Sequence, residues 1–110
     1  MESCIHWLFE DQVEKRPDQT ALLFEGTQTT YAALNRRSNK IAHALLRAGL
    51  APGDKVAALL QDGPDAVAAL LGILKAGASV VYLDPSYPTQ RLITILAASA
   101  PNILLVVCII

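Results

Sequence analysis

The sequence predicts an α/β fold: a partial, doubly wound, mainly parallel sheet with helices on both faces, preceded by a small N-terminal hairpin. Three features predict it. From Lys55 onward, short apolar runs alternate with longer helical segments, the arrangement of strands buried between crossover helices. Those runs are continuous, without the polar-apolar alternation of half-exposed strands. Nearer the start, Glu25-Gly26-Thr27 separates two β-prone stretches, as a hairpin turn does.

The elements follow in order. Ile5, Leu8, Phe9 and Val13 recur at helical spacing, predicting an amphipathic helix from Ser3 to Lys15. Arg16-Pro17 ends it, because a residue before proline is pushed out of the helical region. Ala21–Phe24 and Gln28–Thr30 read as the two hairpin strands. A second helix presents Leu34, Ser38, Ile41, Leu45 and Ala48 on one face and Arg36, Arg37, Lys40 and Arg47 off it. Thr30 is its expected N-cap, and Gly49 suits the left-handed position past its end. Ala51-Pro52-Gly53-Asp54 is a turn. Lys55–Leu60 then reads as a buried strand. Pro64 opens a third helix, where its missing N–H costs nothing. That helix, Pro64 to Ala76, is apolar almost all round, so it should be covered on most sides. Gly77 stops it. Ser79–Leu83 is a strand, Thr89–Ser99 a fourth helix, and Ile103–Val107 a last strand. The connections between parallel strands should be right-handed.

Composition narrows the function classes. A hydrophobic share of 53% and a charged share of 17% predict a folded, apolar-leaning chain rather than disorder. A net charge of −1 gives no general attraction to nucleic acid or anionic membrane. The basic residues of the second helix read as a solvated face rather than a phosphate site. No charge follows Arg91. The uncharged run from Leu92 to Ile110 is long enough to span a bilayer, but Pro101-Asn102 breaks it, and a helix followed by a buried strand explains it better. Cys4 and Cys108 lie at opposite ends, and the start lacks the pattern of a secretory signal. Reduced thiols and a cytoplasmic location are therefore expected.

No catalytic constellation emerges. Gly72 to Gly77 has the outer glycine spacing of a phosphate loop, but Ala78-Ser79 follows in place of Lys then Ser or Thr. The segment also runs from helix to strand, the reverse of a phosphate loop. No dinucleotide fingerprint or nucleophile elbow is present. Cys4 with His6 is too small a set for a metal, and His43 stands alone.

Two stretches carry family information. Leu74-Lys75-Ala76-Gly77-Ala78-Ser79-Val80-Val81-Tyr82-Leu83-Asp84-Pro85-Ser86-Tyr87-Pro88 resembles the second core motif, LKAGxAYVPLDPxYP, of nonribosomal peptide synthetase adenylation domains. Thr30-Tyr31-Ala32-Ala33-Leu34-Asn35 resembles their first, TYxELN. Ile5 to Glu10 with Pro17-Asp18, Pro52 to Ala57, and Arg91-Leu92 agree in order and spacing. The resemblance covers nearly the whole chain. An acyl-CoA ligase shares the fold but fits the paired motifs less well, and a non-catalytic truncated scaffold is the further alternative. Ala33 stands where the first motif has glutamate, which removes the reciprocal half of a capping box. Val80 and Tyr82 replace the motif's tyrosine and proline and remain strand-compatible.

The resemblance implies residues 1–110 as the N-terminal portion of an AMP-binding domain. The full domain would activate an amino-acid carboxylate with ATP and Mg²⁺ and load it on the phosphopantetheine thiol of a carrier protein. The family's phosphate loop, substrate pocket, ribose-binding aspartate and C-terminal lysine are expected downstream. Accordingly no catalytic, cofactor-binding or metal-binding residue is assigned in this chain. Lys75 is expected to close a helix rather than to assist adenylate formation. The expected partners are the rest of the domain and a carrier protein, with no nucleic acid and no membrane. Strand edges left uncovered predict non-specific self-association.

Overall fold

The computed structural model describes residues 4–107. Its elements are α1 (Cys4–Lys15), β1 (Thr20–Phe24), β2 (Thr27–Thr30), α2 (Tyr31–Arg47), β3 (Lys55–Leu60), α3 (Pro64–Lys75), β4 (Ser79–Leu83), α4 (Thr89–Ser99) and β5 (Ile103–Val107). Strands β1 and β2 form an antiparallel hairpin, while β4, β3 and β5 form a parallel sheet in that order. With right-handed crossovers, α3 leads from β3 to a neighbour on one side and α4 leads back past β3 to the other. The two helices therefore cover opposite faces, and the doubly wound expectation stands.

The face under α2 and α3 carries the main core. Val56, Ala58 and Leu60 of β3 meet Ala69 and Ile73 of α3 and Ala42 and Leu45 of α2. Helix α3 lies between this layer and a second cluster, where its Ala68 and Leu71 join Leu34, Phe9 and Leu22. Burial on two sides explains its near-uniform apolarity. Helix α2 approaches it closely at Gly72. A Cβ there would lie 2.8 Å from Ile41 Cβ and 2.9 Å from the Ser38 carbonyl oxygen, so only glycine admits this spacing. Ser38, fully buried on the same line, donates its hydroxyl to the Asn35 carbonyl at 2.9 Å.

Local signals hold with adjustments. Thr30 caps α2 by accepting from the Ala33 N–H at 3.2 Å. Gly49 and Gly77 take positive φ, +96° and +81°, just past their helices, the conformation that favours glycine there. Helix α3 ends at Lys75 with Ala76 as its cap. Strand β1 begins one residue early, at Thr20, and β2 at Thr27, because cross-strand pairing extends to Thr20↔Thr30 and Phe24↔Thr27.

Two face assignments are corrected. Leu8 is 69% exposed, since α1 rests on its neighbours through Phe9 and Val13, which are half-buried. On α2, Ala42 is buried and Ala48 is exposed. Ala48 caps the helix, beyond the reach of α3. The expected first helical residue, Ser3, lies outside the described residues, as do the Cys4 and Ile5 side chains and Cys108.

The opposite face of the sheet is thinner. Ala57 and Leu83 are buried, but α4 has no fully buried residue. Leu104 and Val106 of β5 are 50% and 54% exposed. Asn102 leads into this strand, its side-chain oxygen accepting from the Lys55 N–H at 2.9 Å while its own N–H donates to the Lys55 carbonyl.

Candidate functional site

The residue most easily mistaken for chemistry is Lys75, and its surroundings assign its role. The last turn of α3 carries its ammonium to the first half of α2. There it donates to Asn39 Oδ1 at 2.7 Å and to Asn35 Oδ1. The Phe9 ring of α1 lies beneath it, 5.4 Å to the centroid, within cation–π range. Burial pushes its pKa below the usual lysine value, partly offset by the Glu10 carboxylate. One side chain thus ties three helices together. It also joins the two family-like stretches, since Asn35 ends one and Lys75 stands near the start of the other. Each residue was visible in its own motif, but a separation of 40 positions hid the pairing.

The other candidate lies at the carboxyl ends of β3 and β4, where open parallel sheets commonly bind ligands. A crevice of about 530 Å³ opens there, lined by Phe24, Glu25, Gln61, Asp62, Asp84 and Ser86. Asp84 is already engaged: its Oδ1 accepts from the N–H and the hydroxyl of Ser86, each at 2.9 Å. Those hydrogen bonds, the backbone one foremost, hold its carboxyl below the usual aspartate value. Tyr82, two residues before it, has its hydroxyl pushed up, by desolvation first and then by Asp84 and Asp62. Farther along, the Arg91 guanidinium stacks on Tyr87, 4.1 Å from the ring centroid. Together these contacts stiffen the Asp84–Pro88 loop. The lining contains no histidine, cysteine or lysine, and its one hydroxyl, that of Ser86, is turned onto the Asp84 carboxylate. Its carboxylates would repel a triphosphate, and the residues present do not fit ATP.

The remaining sequence candidates stay apart. His6 is half-buried in α1, its Nδ1 without a partner, and packs edge-on against Trp7 at 5.7 Å. His43 is exposed on α2. Among the described residues no three His, Cys, Asp or Glu cluster for a metal. Gly72 and Gly77 serve helix packing and helix termination, as above. Among the described residues no helix is long and apolar enough to cross a membrane; as far as Val107, the uncharged run is the body of α4 followed by β5.

The parallel α/β layer, the antiparallel hairpin and the Lys75 junction make up one structural module. The AMP-binding enzyme family matches residues 9–108, and the chain belongs to that family. Within it, the chain resembles the adenylation domains of nonribosomal peptide synthetases. It is 43% identical over 105 residues to tyrocidine synthase 3 of Brevibacillus parabrevis, covering 96% of this chain and 2% of that protein. Surfactin synthase subunit 2 of Bacillus subtilis is 41% identical over 101 residues, 92% of this chain and 3% of that protein. Among solved structures, the NpsA N-terminal subdomain of Klebsiella oxytoca superposes with a TM-score of 0.84 at 26% identity, over 91% of this chain and 26% of that one. An artificially fused adenylation–PCP di-domain of NpsA and ThdA gives 0.87 at 26% identity, over 92% of this chain and 19% of that one. The chain therefore spans a small part of the proteins it matches.

Proposed function

We propose that the protein carrying this sequence joins an amino-acid carboxylate to the AMP portion of ATP, releasing pyrophosphate, and transfers the acyl group to a carrier-domain thiol, releasing AMP. Mg²⁺, a phosphopantetheine-bearing carrier and a cytoplasmic location belong to this reading. NpsA, a relative in fold, was solved with 3-hydroxyanthranilyl-AMSN bound, and a fused relative carries a PCP domain. In that reaction residues 1–110 act as scaffold and contribute no catalytic, cofactor-binding or metal-binding side chain. The observation that carries the scaffold role is the Lys75 junction. The ammonium is held by Asn35 and Asn39 over Phe9, so two of its three N–H donors are engaged within the fold.

Amino-acid-dependent ATP–pyrophosphate exchange tests both parts. The 110-residue chain alone should give background exchange. A longer protein that carries this sequence and the family's phosphate loop should exchange with at least one amino acid. Exchange by the short chain would overturn the scaffold role; silence of the longer protein across the amino acids would overturn the activation reading.

A further inference from the structure

The exposed side of α2 is unlike a face that meets only water. Arg36, Lys40, His43 and Arg47 follow one another at spacings of four, three and four residues, and all are exposed. At 1.5 Å per residue they form a line about 16 Å long. It lies opposite Leu34, Ser38 and Leu45, which face the core. Four of the chain's nine Lys and Arg fall in this helix, and none of its ten Asp and Glu. Solvated helices usually intersperse acidic partners at i±4, and like charges at that spacing are mildly destabilising. Here Arg36 and Lys40 stand four apart with no relief. Among the described residues Arg36, Lys40 and Arg47 form no ion pair, whereas Arg37, turned aside, reaches Asp65 at 3.6 Å. The position where the family motif has glutamate is Ala33. Leu46, 47% exposed, flanks the line.

We propose that this stripe is a docking surface for an acidic patch on another folded protein domain. The charge pattern complements a negative partner, and exposed cations without an ion pair among the described residues are placed to meet it. Leu46 supplies an apolar contact beside the charges, as protein interfaces commonly combine. Nucleic acid is disfavoured, because the stripe has no aromatic side chain for base stacking and the chain's net charge is −1. The inference stands apart from the reaction proposed above.

The test uses a labelled helical peptide of about 20 residues, rich in Glu with a few Leu, its Gln counterpart, and a single-stranded DNA of similar length. Binding to the 110-residue chain is followed by fluorescence anisotropy from roughly 50 to 300 mM salt, the range over which screening grows strongly. The Glu peptide should bind, weaken with salt, and bind tighter than the Gln peptide and the DNA. Replacing Arg36, Lys40 and Arg47 together with Glu should cut its affinity at least about tenfold. The milder Arg36→Gln and Arg47→Gln changes should each cut it about two- to threefold. Arg16→Glu, a change of two charges on another surface and so larger than either single Gln change, should leave it unaltered. Equal binding of the Glu and Gln peptides, tighter binding of the DNA, or an equal loss from Arg16→Glu would each overturn the proposal.

Discussion

The two faces of the parallel sheet are both built largely from apolar residues and treated very differently. Under α2 and α3, Val56, Ala58 and Ile73 are fully buried. Across the sheet, α4 offers no fully buried residue, and Leu104 and Val106 lie half in solvent. Apolar composition therefore does not measure how much burial stabilises an element; the number of layers above it does. The first face should hold most of the chain's stability, and the second should govern its tendency to associate.

The largest effect should come from emptying the thick face. Ile73→Ala should cost about 3 kcal/mol, while Val106→Ala should cost about 0.5 kcal/mol. Urea midpoints measure both, and equal losses would break the comparison. Gly72→Ala comes next, at about 2 kcal/mol. The added methyl meets the Ile41 side chain and the Ser38 backbone oxygen, and backbone cannot step aside as a flexible side-chain end can.

Lys75→Met should cost about 1 kcal/mol, the worth of charged hydrogen bonds discounted for partial exposure. Its pH dependence separates this role from plain packing. Burial lowers the folded pKa below the ordinary 10.5, so between the two values the unfolded chain holds the proton more fully. The Lys75 contribution must therefore rise with pH across that window. Unfolding followed through it should show a rise in the wild type relative to Lys75→Met; the opposite slope would mean the ammonium is stabilised where it lies.

The smallest effect on stability belongs to the thin face. Leu104→Thr with Val106→Thr keeps strand preference and should change stability by about 0.5 kcal/mol or less. The pair should nevertheless reduce association, since β5 has neither charge nor proline to guard its edge. Size-exclusion profiles at rising concentration report this, and unchanged association would move the sticky surface elsewhere, to Trp7 and Leu8 for instance.

Most of the fold was legible because its punctuation is local. Pro17, Thr30, Gly49, Pro64 and Gly77 each act on the backbone within a few residues, and they mark the boundaries of α1 to α3. Side-chain facing was less legible. Leu8 fits the periodicity of α1, but periodicity does not say how wide the covering neighbour is. Ala42 and Ala48 look alike in sequence and differ only in their reach to α3. The partners of Lys75 were hidden altogether, because hydrogen bonds over 36 and 40 residues leave no periodic trace. The acidic crevice was hidden for a related reason: Glu25, Asp62 and Asp84 come from three separate turns.

The Lys75 junction has a consequence for recombining related proteins. Its halves sit on α2 and at the end of α3, so a crossover placed between Asn39 and Lys75 would draw the latch and its keeper from different parents. Chimeras cut upstream of Phe9 or downstream of Lys75 inherit the fastening whole, and those breakpoints are the ones at which pieces of such domains can be exchanged.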